Sequence, residues 1–382
     1  MVASARARLL ARVAGRHVLV IQDTTSLRDD GDKRGVYLHP AIVMDASDGA
    51  LLGLLTAEIL VRDETPKEHC NKRPLHAKES RRWVDATAQA ADLVAAGAAS
   101  VTMVADREAD LYETFACRPE GVDVLVRVHH NRCLSDGGML DEASDALPVM
   151  GRIKVGVPAA PGRRARTARL SVRVGRISIQ RPKRNRPQEA RGLPDNVALT
   201  LVDVREDRPP PGEPALHWRL LTTHVVATMA DARRIVGQYR CRWNVEQLFR
   251  VMKTRGFDIE AAPFEDAAPL ANLACATLIA AIHVQQMLHD RDGIARRPIT
   301  DAFDPRDLPF IEAIGRTLEG RTPRQKNPHP PDLLAHASWI CARLGGWNGY
   351  YGKPGPIVLV KGYSALTTMI DGIKRSGLVR IW

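Results

Sequence analysis

The chain has 382 residues, 45% of them hydrophobic, with 55 Lys and Arg against 44 Asp and Glu and a formal net charge of +11. This composition excludes a disordered, collagen-like or coiled-coil chain and leaves room for two or three domains with a sizeable core. The six cysteines, at 70, 117, 133, 241, 275 and 341, include no CxxC pair, so neither a disulfide framework nor a structural zinc site is indicated and a reducing cytosol fits best.

Residues 1–16 are Arg-rich but lack an apolar run of signal-peptide length, and read as the end of an amphipathic helix. Residues 17–24 (HVLVIQDT) are a strand-like run closing on Asp23, and 36–61 supply two more strands around a turn at 45–49. An Ala-rich helical pattern at 79–97 leads to a buried strand ending in Asp106 (100–106), a short helix from Arg107 and a fifth strand at 122–128 that carries Arg127. The order is β-β-β-α-β-α-β. Antiparallel strands followed by parallel ones are what a ribonuclease-H-like (retroviral-integrase-like) α/β core requires, with two aspartates where such sheets build their sites.

From 134 to 226 short alternating strands broken by Gly and Pro predict a β-rich insertion. Between 151 and 194 there are about a dozen Lys and Arg against one acid, Glu189. A helix is expected over 230–254, opened by a capping box at Thr228 and Asp231 and stopped by Gly256. At 100° per residue it would gather Tyr239, Arg242, Glu246, Arg250 and Lys253 on one stripe, opposite the buried Val245, Leu248 and Met252. The apolar stretch 269–288 contains Asn272, His283, Gln285 and Gln286, which lipid would penalise, and reads as a core helix with no membrane role. The rest is expected to be loop-like to about Pro331, then weakly helical. The predicted units are 1–16, 17–133 (core), 134–226 (insertion), 227–290 (core with the catalytic helix) and 291–382 (helical).

Asp23, Asp106 and Glu246 are three hard oxygen ligands from separate parts of one fold, the set that holds two divalent ions about 3.5–4 Å apart for in-line phosphoryl displacement. No GxGxxG, Walker A loop or GxSxG elbow accompanies them, and His69, Cys70 and His76 lack a fourth ligand to complete a metal site.

These motifs resemble the bacterial DDE transposases of the insertion-sequence-four family. Ile21-Gln22-Asp23-Thr24-Thr25 matches the first acidic motif, Asp106-Arg107-Glu108-Ala109-Asp110 the second, and Tyr239, Arg242, Glu246 and Lys253 the Y-(2)-R-(3)-E-(6)-K signature; Lys78-Glu79-Ser80 with Trp83 is also similar. The resemblance implies DNA strand cleavage and strand transfer with two Mg²⁺ or Mn²⁺ ions on Asp23, Asp106 and Glu246. It also implies a homodimer on transposon ends and target DNA, and a cytoplasmic, nucleoid-associated location. Tyr239, Arg242, Arg250 and Lys253 would contact DNA phosphates, Trp218 would stack on a flipped base, and Arg127 would be a further DNA contact. Members carry an amino-terminal end-recognition domain, whereas Asp23 stands almost at the start, so 1–16 is expected to be a residual linker helix and binding to lack preference for terminal repeats. The alternatives are a catalytically idle DNA-binding or dimerising inhibitor and a metal-dependent nuclease without transposition.

Overall fold

Strand β1 (His17–Gln22) alternates its side chains between two cores: Leu19 and Ile21 face one, Val18 and Val20 the other, and all four are buried. A strand coated on both faces lies inside a layered α/β structure. The computed structural model describes residues 1–31, 34–62, 78–159, 164–183, 192–253, 256–264, 266–350 and 352–376.

The other strands are β2 (Thr25–Asp29), β3 (Gly35–Asp45), β4 (Leu51–Arg62), β5 (Ser100–Ala105), β6 (Val122–Arg127), β7 (Val149–Val157), β8 (Arg166–Gln180), β9 (Asn196–Glu206) and β10 (His217–Thr222). They form one mixed sheet, ordered β2-β3-β1-β5-β6-β10-β9-β8-β7, with β4 on β3. Strands β1, β5 and β6 are parallel; every other pairing is antiparallel. The helices are α1 (Val2–Leu10), α2 (Arg81–Gln89), α3 (Ala91–Ala95), α4 (Tyr112–Ala116), α5 (Leu140–Ala146), α6 (Met229–Arg240), α7 (Trp243–Met252), α8 (Ala267–His289), α9 (Leu308–Leu318), α10 (Leu334–Leu344) and α11 (Pro356–Ser376). One core joins α6, α7, α8 and the C-terminal helices to the sheet; the other joins α2, α3 and α4.

Several expectations need correction. Strand β2 is not among the expected elements: β1 and β2 pair in one register with β3, Gln22 opposite Ala41 and Thr25 opposite Leu38, so the gap at Asp23-Thr24 falls opposite Pro40-His39. Proline offers no N–H to the ladder, which gives a physical reason for the break. Strands β7–β10, from the expected β-rich insertion, extend the core sheet beyond β6, and the segment also contains α5. The helix expected at 230–254 is two helices, α6 and α7. The helix expected at 79–97 divides at Ala90, and the loop before Pro331 contains α9, which tolerates Pro309 in its first turn. The His69, Cys70 and His76 group and the basic residues 184–191 lie outside the described residues.

Helix α1 ends sooner than residue 16 and packs on β4, its Leu9 seated against Gly53. Helix α8 is long and apolar enough to cross a membrane, but it packs against β4, α7, α10 and α11. Its Gln286 donates to the carbonyls of Leu51 and Leu52, and its His283 hydrogen-bonds Tyr363 at 2.8 Å. Helices α10 and α11 approach so closely that a Cβ on Gly362 would overlap the Cys341 carbonyl, whereas one on Gly237 in α6 would meet nothing within 4 Å.

Gly362→Ala should therefore destabilise at or beyond the top of the roughly 1–3 kcal/mol range of overpacking. Gly237→Ala should stabilise by about 0.5–1 kcal/mol. Denaturant titration of both variants checks the pair; a Gly362→Ala protein as stable as wild type would contradict the α10–α11 packing.

Candidate active site

The C-terminal ends of β1 and β5 deliver Asp23 and Asp106 to one edge of the sheet. The capping box at Thr228 is present, with Asp231 N–H donating to Thr228 Oγ1 and Thr228 N–H to Asp231 Oδ2, and α6 runs from there to a tight joint. Cys241 N–H reaches both Gly237 O and Gln238 O, Arg242 N–H bonds Tyr239 O, and Val245 N–H bonds Arg242 O. The last three bonds run i to i−3 and turn the chain more tightly than an α-helix. Asn244 Nδ2 donates to Cys241 O at 2.8 Å and holds the joint from the side.

This joint changes where the signature residues point. Arg242 is buried, and its guanidinium meets all three acids: Nη1 lies 2.9 Å from Asp23, and Nη2 lies 2.8 Å from Glu246 and 3.6 Å from Asp106. Tyr239 is also buried and donates its hydroxyl to Asp106 Oδ1 at 3.2 Å. The open stripe expected from a continuous helix is thus, for these two residues, an internal network. Lys253 pairs with Glu260 at 2.7 Å, while Arg250 stands exposed. Trp218 is half-buried on β10 with its ring 6.1 Å from that of Tyr239, and Arg127 Nη2 donates to His217 O beside them.

Burial pushes the Asp23 carboxyl up to about 6; Thr24 N–H and Arg242 oppose the shift, and Asp106 and Glu246 add to it. Burial next to Asp106 raises the Tyr239 phenol to about 12, so it remains a donor. Behind Asp23 runs a buried chain of hydrogen bonds. Arg82 Nε donates to Thr24 Oγ1, which sits 2.9 Å from His39 Nδ1; His39 Nε2 lies 3.0 Å from Gln22 Oε1, and Gln22 Nε2 donates to Trp83 O. Burial first, then Arg82, lowers the His39 pKa to about 3, so the ring is neutral and its Nε2 carries the proton toward Gln22.

Residues 75–282, just over half of the chain, match the transposase DDE domain. The chain belongs to that family. The protein is accordingly a transposase, an enzyme whose partner is DNA, and such transposases typically use divalent metal ions. The matched segment includes Asp106 and Glu246 and begins beyond Asp23. Among the described residues no cluster of three His, Cys, Asp or Glu side chains already closes on a metal position; the three carboxylates meet through Arg242 instead. Their chemistry suits a hard cation, since one guanidinium cannot neutralise three carboxylates and all three offer oxygen donors.

Nothing in the sequence marked Arg82 or His39 for the site; Thr24, Glu108 and Trp243 lie within the motifs but were given no role there, and Trp243 is 52% exposed with its ring 5.7 Å from the Arg242 guanidinium. Trp243 was legible, lying between Arg242 and Asn244 in the third motif. His39 was not, because only the β2–β3 register brings it to Thr24.

A carboxyl whose folded pKa exceeds its ordinary 3.8 contributes stability that is present below about pH 4 and lost as pH rises through about 6. Asp23→Asn should therefore stabilise the metal-free transposase at pH 7.5, by up to about 3 kcal/mol for a shift of two units, and change little at pH 4. Urea titrations at the two pH values check this; equal effects at both would contradict the raised pKa.

Proposed function

We propose that this transposase belongs to the insertion-sequence-four type and performs cut-and-paste DNA transposition by metal-dependent strand cleavage and strand transfer. The observation that carries the reading is the convergence of Asp23, Asp106 and Glu246 on the single guanidinium of Arg242. Strand order β3-β1-β5-β6, antiparallel and then parallel, supports a ribonuclease-H-like core beneath that site.

Asp23, Asp106 and Glu246 would hold two Mg²⁺ or Mn²⁺ ions. When bound, such ions make the attacking water or 3′-hydroxyl a better nucleophile and stabilise the leaving oxygen. The chain's own groups prepare that chemistry. Arg242 supplies part of the positive charge the carboxylates need, and Tyr239 holds one oxygen of Asp106 so that the carboxylate keeps a fixed orientation. Arg250, exposed on α7, is suited to a DNA phosphate, with Lys253 one turn further along. Trp218, backing Tyr239, and Arg127 are proposed as DNA contacts of the same region. Pairing of two copies through the C-terminal helices would bring two ends together.

The DNA path is supported by the sheet register. Antiparallel pairing of β10, β9, β8 and β7 puts His217, Glu206, Arg166 and Val157 at the same edge as Arg127 and Asp106. There Arg152, Arg166, Arg169 and Arg208 line an open cleft of about 760 Å³ with Glu206 and Asp207. Four strand spacings separate β5 from β8, roughly 19 Å, so one duplex could lie against both the carboxylates and the cleft.

Two experiments test this reading. On duplexes carrying the element's ends, Asp106→Asn and Glu246→Gln should each reduce cleavage by more than about a hundredfold, beyond the loss typical when only a supporting partner of a ligand is removed. DNA affinity should change by less than about threefold, because phosphate contacts supply most of it. Tight binding with no cleavage by the wild type would instead identify an idle DNA-binding protein. Separately, Arg152→Ala with Arg169→Ala should lower the slope of log K against log salt by about one for every phosphate that the variant no longer neutralises. An unchanged slope would remove the cleft from the DNA path.

A further inference from the structure

We propose that Arg82 is the positioning residue that sets the spacing between Asp23 and Asp106, and with it the affinity of the site for divalent cations. This rests on reading those aspartates, with Glu246, as metal ligands. Arg82 lies on α2, its side chain 7% exposed, and its planar head has three separate partners. Nε donates to Thr24 Oγ1 at 3.1 Å, Nη2 to Glu108 Oε2 at 3.0 Å, and Nη1 to the Glu79 carbonyl at 2.9 Å.

Two of these partners are near neighbours of the two aspartates in the chain. Thr24 follows Asp23 and donates its backbone N–H to Asp23 Oδ1 at 2.8 Å. Glu108 lies two residues after Asp106, in the single-turn helix Arg107–Ala109 that Asp106 begins. Arg82 thus pins the break after β1 and the turn after β5 to one rigid fork. The Thr24 hydroxyl is in turn fixed by His39, so the fork acts on an anchored group.

Carboxylates that hold cations need their own supports, and loss of such a support typically weakens metal binding 10–100-fold. Lysine has no fork and cannot hold Thr24 and Glu108 together.

The test is Mn²⁺ binding by the full-length protein without DNA, followed by the EPR signal of the free ion, with thermal unfolding of the metal-free protein in parallel. R82Q should raise the Kd about tenfold or more, and R82K should not rescue it. E108A removes a carboxylate that is 68% exposed and is expected to leave the unfolding temperature close to wild type. It should weaken binding about threefold and add nothing to R82Q in the double variant. D23N is the control for the site itself. Loss of Mn²⁺ binding in D23N with wild-type affinity in R82Q or R82K would overturn the role of Arg82 and keep the metal reading. Equal binding by D23N and wild type would overturn the metal reading and the inference with it. A lower unfolding temperature in R82Q with an unchanged Kd would make Arg82 a packing residue only, and if R82Q does not fold, E108A and R82K carry the test.

Discussion

Three carboxylates cannot share one partly buried pocket without positive charge between them, and the organisation of this site follows from that constraint. Arg242 answers it in part by touching Asp23, Asp106 and Glu246 together. One guanidinium against three carboxylates leaves a deficit of positive charge; the Asp23 pKa is raised first by burial, and the Asp106 and Glu246 charges add to that shift. The same deficit is the physical ground for proposing that the site takes the divalent metal ions that such transposases typically use.

The sheet turns this local demand into a working edge. The parallel strands β1 and β5 bring two acids side by side, and the joint between α6 and α7 aims Tyr239 and Arg242 inward at them. Antiparallel extension through β10, β9, β8 and β7 carries the arginine-lined cleft to that edge. The three acids and the cleft thus lie several strands apart on one edge, and Arg152, Arg166 and Arg169 of the cleft pair there with Asp207, Glu206 and Glu213.

Much of this was legible in the sequence, because the strands near the acids are continuous apolar runs that close on a carboxylate. The capping box of α6 was equally plain, being a local signal within four residues. What escaped depends on contacts between distant residues. The pairing of β10 with β6 joins the expected insertion to the core sheet, and no local pattern encodes that partner. The interruption at Asp23 has its cause in Pro40, seventeen residues away and visible only once β3 is aligned. Projecting Tyr239 and Arg242 on one regular helix failed because a few i to i−3 bonds at Cys241 and Arg242 are too short a feature to alter hydrophobic periodicity. Helix α9 was hidden by the prolines around it, though its first turn tolerates Pro309.

We propose that Asp23, Asp106 and Glu246 form one cation-holding group whose charge Arg242 only partly offsets. Anomalous X-ray scattering from crystals of the protein with Mn²⁺ and a cleaved DNA end tests it most directly. Mn²⁺ peaks are expected within ligand distance, about 2.0–2.2 Å, of oxygens from all three carboxylates. Manganese bound elsewhere, with Arg242 still paired to all three acids and DNA seated against them, would contradict it.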